Sequence, residues 1–244
     1  MKKILILFVF LISALILASC NREPSREELL ARQYEAFVSE DIIDESYFDS
    51  FINEISNFSI PGMVIVKTTI TDNLGILLQE KEGSGFIYRI YEDTIRVVTS
   101  FDVVSTDIPN ATLTVQIYDF ANRAYSALVL SRDDELGLAK LIFDTKVSIA
   151  KIRPLFFSPY VPLDNEPIMM ISNYQQVHNS MLMGLLNHKD ETNDFYYVNI
   201  PVDQYIKGGA VINMRNQVIG VVVDYTEDQA IILGLNTLRE YLGV

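Results

Sequence analysis

The sequence predicts an all-β domain that is preceded by a short helical segment. From Met63 onward, short runs of β-branched and aromatic residues alternate with turn signals such as Asp72-Asn73 and Arg215-Asn216. In the clearest run, Leu113, Val115 and Ile117 alternate with polar neighbours, a period of two that is typical of a strand. About a dozen such runs at this spacing favour a barrel or a sandwich.

The predicted elements follow one another along the chain. A capping box at Ser25 and Glu28 begins a first helix, and Phe51 and Ile55 lie on one face of a second helix that ends at Pro61-Gly62. The predicted strands are residues 64–70, 85–90, 94–99, 113–117, 124–130, 138–143, 167–172, 181–186, 195–200, 211–213, 218–224 and 230–233. A short helix over residues 238–242 is expected to close the domain.

Composition excludes several classes of protein. The 244 residues are 49% hydrophobic and 21% charged, which argues against intrinsic disorder. The formal net charge of -13 argues against a nucleic-acid binder, because such a protein needs lysine and arginine to displace counterions from phosphate. A single cysteine, Cys20, excludes an intramolecular disulfide and any cysteine-based metal cluster. No cofactor and no metal are expected.

The first twenty residues indicate a secretion signal with a lipid attachment site. Lys2 and Lys3 precede an apolar stretch over residues 4–18, and the sequence 17–20 reads Leu-Ala-Ser-Cys. That ending resembles the bacterial lipobox, which implies that Cys20 is acylated and anchors the protein in a membrane. A simple membrane anchor or an ordinary cleaved signal are the alternatives. Asn21 after the cysteine favours the outer membrane or the cell surface of the bacterial envelope.

Six segments of the β-rich region resemble the trypsin-like serine peptidases, in particular the bacterial HtrA/Deg branch. The pieces are residues 83–87 (GSGFI), 97–104 (VVTSFDVV), 132–141 (RDDELGLAKL), 171–173 with 183–186, 206–213 (IKGGAVIN) and 217–221 (QVIGV). They occur in the family's order, and the resemblance covers roughly residues 48–243. It implies two six-stranded β-barrels with a cleft between them. The predicted organisation is a signal peptide over residues 1–19, a lipidated cysteine, tether and helical segment over residues 20–60, and the double barrel over residues 61–244.

At the matching positions, the catalytic residues of the family are replaced. Asp102 stands for the histidine base, Glu135 for the aspartate and Lys207 for the nucleophilic serine, while Tyr205 replaces the first glycine of the oxyanion turn. An aspartate with a pKa of about 4 is too weak a base to activate a hydroxyl at neutral pH. The neighbouring carboxylates of Asp102 and Glu135 would hold the Lys207 ammonium charged, so it could not serve as a base. The resemblance therefore implies a degenerate, non-catalytic site.

Other features of the sequence have simpler interpretations. His178 and His188 are expected to be loop or surface residues and not replacements for the missing base. The acidic run at residues 133–135 lacks the spacing of a calcium loop and is interpreted as a solvated turn. Gly208 and Gly209 are interpreted as the family's close backbone approach beside the nucleophile position. If the alignment is right, the charged atoms of Asp102 and Lys207 should lie within about 4 Å of each other.

Three functions remain open on these observations. The first is a non-catalytic lipoprotein that holds a peptide or protein partner, with the negative charge favouring a basic one. The second is an active envelope peptidase whose catalytic residues have moved to other positions. The third is a structural role as a subunit of an assembly.

Overall fold

The computed structural model describes residues 45–190 and 194–244, and it consists of two closed six-stranded β-barrels preceded by a short helix. This confirms the predicted fold class. The strands are β1 (Met63–Thr71), β2 (Leu77–Tyr91), β3 (Thr94–Ser100), β4 (Thr112–Asp119), β5 (Ala124–Asp133), β6 (Leu138–Asp144), β7 (Pro167–Ser172), β8 (Ser180–Asp190), β9 (Phe195–Val198), β10 (Ala210–Asn213), β11 (Val218–Tyr225) and β12 (Ala230–Gly234). The helices are α1 (Glu45–Glu54), α2 (Val147–Ala150) and α3 (Leu235–Leu242).

The first barrel closes in the order β1-β2-β3-β6-β5-β4, with antiparallel neighbours throughout. Its core is formed by the inward-facing residues of each strand, because side chains alternate between the two faces of a sheet. Val66, Ile87 and Val97 are completely buried there, together with Ile117 and Leu141.

The second barrel closes in the order β10-β11-β12-β9-β8-β7. Its core includes Met170, Val198 and Val211, which are fully buried. β11 has six consecutive buried apolar residues, and the exposed Asp224 follows them as its last residue but one. That strand therefore places one charged side chain at the point where it leaves the core.

β2 is the longest strand, and part of it lacks a second neighbour. It pairs with β1 between Leu77 and Phe86, but its pairing with β3 begins only at Gly85. The stretch from Leu77 to Ser84 consequently carries one unpaired edge. A single helical turn, Phe101–Val104, follows β3 and lies close to this edge. The two are joined by a hydrogen bond from the Lys81 ammonium of β2 to the carbonyl oxygen of Asp102, at 2.9 Å.

The predicted second helix corresponds to α1 and the turns that follow it. Phe51 and Ile55 are buried as expected, and the chain continues through single turns at Ile55–Ser59 and Ile60–Gly62 before β1 begins. The closing helix begins at Leu235, three residues earlier than predicted, and ends at Leu242, after which Gly243 adopts a left-handed conformation. The predicted first helix, the signal sequence and Cys20 lie outside the described residues.

Candidate functional site

A polar groove lies between the outer face of the first barrel, the single turn that follows β3, and residues of the second barrel. Its volume is about 850 Å³. The floor consists of outward-facing residues of β1, β2 and β4, and the register places Lys67 beside both Glu82 and Gln116. The walls are the turn Phe101–Val104 and residues 204–207, with Gln176 and Tyr225 at the margin. A cavity of this size is in the range of ligand sites.

Asp102 and Lys207 meet at one wall of the groove. Asp102 lies in the single turn after β3, and Lys207 directly follows the turn Gln204–Ile206. The Lys207 ammonium donates a hydrogen bond to Asp102 Oδ2 at 2.5 Å. The predicted ion pair is therefore confirmed across 105 residues of sequence.

Asp224 is the second partner of Lys207, and the sequence analysis missed it. Asp224 Oδ1 lies 2.8 Å from Lys207 Nζ, and the ring of Tyr225 has its centroid 5.4 Å from the same nitrogen. The side chain of Lys207 is 14% exposed, whereas both aspartates are 57% exposed. The signal for Asp224 in the sequence was a single charged residue directly after a run of apolar strand residues.

Glu135 does not join this cluster, contrary to our expectation that it would lie beside Asp102 and Lys207. It is exposed in the turn between β5 and β6, and no ion pair in the described ranges connects it to either residue. The turn is fixed instead by Asp133, whose Oδ1 accepts the N–H of Leu136 at 3.0 Å. The second carboxylate at Lys207 thus comes from the second barrel and not from the β5–β6 turn.

The environment of Lys207 favours its charged form. Burial acts to lower the pKa of the lysine, but its hydrogen bonds to Asp102 and Asp224 raise the pKa, and the net result is a pKa above the ordinary value. A nucleophilic or basic lysine requires a depressed pKa, so that a neutral amine is available near pH 7. The geometry therefore suits the Lys207 ammonium to an electrostatic role and not to that of a base.

The turn before Lys207 is closed by a carboxylate. Asp203 begins the turn Gln204–Ile206, and its Oδ1 accepts the N–H of Tyr205 at 2.8 Å. Its Oδ2 accepts the N–H of Gln175 at 2.7 Å, which ties the turn Tyr174–Gln176 to the turn Gln204–Ile206. The resemblance to the peptidases assigned Tyr205 to the oxyanion turn, where acyl transfer needs a donor aimed at a developing negative charge. Here that donor is already bound to an anion. Aspartate is a common residue at the start of a helical turn, and this preference was the signal in the sequence for the role of Asp203.

Gly208 provides a close contact between the two barrels, whereas Gly209 packs closely against Ile171 and Ile206 of its own barrel. Ser84 N–H donates to the carbonyl oxygen of Lys207 at 2.8 Å, and a Cβ on Gly208 would collide with the Ser84 carbonyl oxygen. Gly208 also has φ +85°, a conformation that L-residues rarely adopt. The predicted close backbone approach is confirmed.

His178 does not complete the cluster. His178 lies in the turn before β8, where burial lowers its pKa while the charges of Asp119 and Glu82 act to raise it. It is partly buried, not a surface residue, although its position in a loop is as predicted. The side chain of His188 lies outside the described part of the structure.

Two general features complete the description of the site and its surroundings. In the described ranges, no group of three or more histidine, cysteine, aspartate and glutamate side chains could hold a metal ion. None of the helices in these ranges combines the length and the hydrophobicity that a membrane span needs.

Comparison with known proteins gives a family for this fold and site. The model of the trypsin-like peptidase domain matches residues 83–221, which is more than half of the chain. The structure is also similar to the crystal structure of the serine endoprotease from Yersinia pestis, with a TM-score of 0.62 and 16% sequence identity. That alignment covers 79% of this chain and 65% of the other, so the chain spans less than two thirds of the endoprotease. No curated protein matches the sequence.

Proposed function

This chain belongs to the trypsin-like peptidase domain family, and from that premise we propose that it binds a polypeptide without cleaving it, as a lipid-anchored protein of the bacterial envelope. The observation that carries the proposal is the pairing of Lys207 with Asp102 and Asp224. A charged lysine stands where this family needs a nucleophile, and a carboxylate stands where it needs a base.

The chemistry of acyl transfer has no supported route at this cluster. A serine-type reaction needs a nucleophile, a base that takes its proton and a donor for the oxyanion. Lys207 is held as an ammonium by two carboxylates, and the Tyr205 N–H is occupied by Asp203. Each of the three functions is therefore compromised, and loss of one oxyanion donor alone costs about 10²–10³ in rate.

The groove beside this cluster retains features suited to an extended polypeptide. In a strand, the N–H and C=O of a residue point to the same side and alternate from one residue to the next. Ser84 N–H and C=O point away from β1, since they bond to Lys207 and Thr99. With unbroken register along β2, the main-chain groups of Glu80 and Glu82 point the same way, toward the groove. Such an edge can accept a peptide as an additional strand.

Charge and the N-terminal sequence support the remaining parts of the proposal. The net charge of -13 favours a basic partner, and both carboxylates at Lys207 are more than half exposed, with Asp102 lining the groove. The resemblance of residues 17–20 to a lipobox supports acylation at Cys20 and attachment to a bacterial membrane.

An activity assay tests the catalytic half of the proposal. We expect no labelling by a fluorophosphonate probe and no digestion of casein, because Lys207 cannot replace an activated serine. The matched control is a trypsin-like peptidase with an intact serine, treated in parallel. Covalent labelling of one serine of this chain, lost when that serine is replaced, would establish the alternative of an active peptidase with relocated residues.

A binding assay tests the other half. The probes are reduced, carboxamidomethylated lysozyme, which is unfolded and basic, and casein, which is largely unfolded and acidic. We expect the basic polypeptide to bind and to slow hydrogen exchange at the Glu80 and Glu82 amides, because strand addition would occupy them. Glu80→Pro removes one of these N–H groups without removing a bond to β1, whereas Glu80→Gln keeps the N–H. Equal affinity of both variants, or failure of the wild-type protein to bind either probe, would contradict this part of the proposal.

A further inference from the structure

Exposed aliphatic residues gather at one end of the first barrel. Leu74, Ile76, Leu77 and Leu78 occupy the connection between β1 and β2 and the first residues of β2, and they are 79%, 59%, 54% and 45% exposed. Leu128 and Leu130 of β5 are 73% and 50% exposed. We call these six residues the apolar rim. Several exposed apolar side chains in one region of a surface are typical of an interaction surface.

The strand register places the two parts of the apolar rim at the same end. Thr71 at the end of β1 pairs with Leu77 on one side and with Thr112 on the other. β5 pairs with β4 from Ala124 to Ala127 in the antiparallel sense, so Leu128 and Leu130 continue toward the Thr112 end. Three strand spacings of about 4.8 Å then separate β5 from β2. The rim therefore lies along one end of the barrel.

The β1–β2 connection is held in an ordered turn with its apolar side chains outward. Asp72 Oδ1 accepts the N–H groups of Leu74 and Ile76, each at 2.8 Å. Asp72 N–H donates to the carbonyl oxygen of Ile76 at 2.9 Å, and Gly75 N–H donates to that of Asp72 at 3.1 Å. The charge of Asp72 is thus engaged in the turn. No charged side chain occurs between it and Glu80.

We propose that the apolar rim rests in the surface of a lipid bilayer and orients the first barrel against it. This inference rests on the proposed attachment of Cys20 to a membrane. Glu45 follows Cys20 by 25 positions (45 minus 20), which sets an upper limit of about 85 Å on the distance between the anchor and the start of α1. The bilayer is therefore within reach of the rim.

The composition of the rim fits hydrocarbon better than a protein partner. All six residues are leucine or isoleucine, which partition favourably into a bilayer. Binding hot spots between proteins are enriched in tryptophan, tyrosine and arginine instead, with leucine under-represented. A second copy of this chain offers no apolar pocket in its groove, because Val103 is the one aliphatic residue among the groove's lining residues. The net charge of -13 favours zwitterionic over anionic lipid.

A tryptophan reporter tests this placement, since the natural chain contains no tryptophan. The full acylated protein carrying Leu74→Trp is reconstituted with phosphatidylcholine vesicles, with and without lipids brominated on their acyl chains. The matched control is Phe156→Trp, because Phe156 is 68% exposed. The main-chain N–H of its neighbour Leu155 donates a hydrogen bond to the carbonyl oxygen of Ile87. Ile87 lies ten residues, or about 33 Å, along β2 from Leu77, so the control reports on a surface away from the apolar rim.

We expect the emission of the Leu74→Trp protein to shift to shorter wavelength and to be quenched several-fold more strongly by brominated lipid than that of the Phe156→Trp protein. Equal quenching of the two variants, or emission of both as in water, overturns the inference. A shift in the Leu74→Trp protein without lipid would indicate a protein contact and would also overturn it. If the wild-type protein fails to float with vesicles, the proposed lipid anchor itself is wrong, which separates the two failures.

Discussion

Replacing Glu166 with glutamine should change how the stability of this protein depends on pH. Glu166 precedes β7 and is 1% exposed, and its Oε2 accepts the N–H of Leu163 at 2.8 Å. Burial raises the pKa of this carboxyl from 4.5 to about 7, against the opposing effects of the Leu163 hydrogen bond and the charge of Arg215. The folded protein therefore binds the proton more tightly than the unfolded chain does.

The sign and size of the effect follow from linkage. Because the folded pKa is raised, the contribution of Glu166 to stability is fully present below pH 4.5 and is lost as the pH rises to about 7. A difference of about 2.5 pKa units corresponds to about 3 kcal/mol of unfolding free energy at 1.36 kcal/mol per unit. Glutamine mimics the protonated carboxyl and keeps an acceptor for Leu163, so Glu166→Gln should remove this loss.

Urea denaturation at a series of pH values between 4 and 8 measures the change directly. The lowered pKa of His178 acts in the opposite direction, since its contribution is present above pH 6.5 and is lost as the pH falls. It is common to both proteins and cancels in their difference. We expect the variant to gain stability relative to the wild type as the pH rises from 4.5 to 7. Parallel curves for the two proteins would refute the assignment of the proton to Glu166.

Three other perturbations have expected outcomes. Asp119 is completely buried, and its carboxylate accepts hydrogen bonds from the side chains of Arg123 and Tyr125 and from two main-chain amides. Asp119→Asn should therefore lower the unfolding free energy by about 3 kcal/mol. Urea denaturation measures this change, and an unchanged midpoint would contradict the prediction. Gly208→Ala should lower the melting temperature much more than Gly75→Ala, because both glycines have positive φ but only Gly208 faces a main-chain oxygen; equal shifts would exclude the close contact. Lys207 should be acetylated more slowly at pH 8 than the exposed Lys146, because the pKa of Lys207 is raised and its side chain is only 14% exposed. Mass spectrometry of the peptides measures both rates, and equal rates would argue against the ion pairs of Lys207.

The strands of this protein were predictable because each is a local pattern. All twelve predicted runs correspond to strands, since β-branched residues at a period of two identify a half-buried strand without reference to its neighbours. The ends were less accurate. The closing helix begins at Leu235, and β9 ends at Val198 before the predicted end at residue 200. Ends depend on hydrogen bonds to other segments, as where Gly234 N–H donates to the carbonyl oxygen of Asp194.

The site was predictable only in part. The pairing of Asp102 with Lys207 was expected because both positions align with a known family, whereas no pattern around Asp224 indicated its partner. Glu135 aligned equally well but lies in an exposed turn away from Lys207. The direction of a side chain in a turn depends on local main-chain bonds such as that from Leu136 to Asp133, which an alignment does not specify.

The sequence by itself determined the all-β class and the succession of strands along the chain, because these depend on residue type and local spacing. Its resemblance to the family also led us to expect that the catalytic residues are replaced. Only the tertiary structure decided which carboxylates hold Lys207, that Asp203 occupies the Tyr205 amide, and that the apolar rim gathers at one end of the first barrel. Barrel closure brings residues together that are more than one hundred positions apart, and their contacts depend on register and backbone direction.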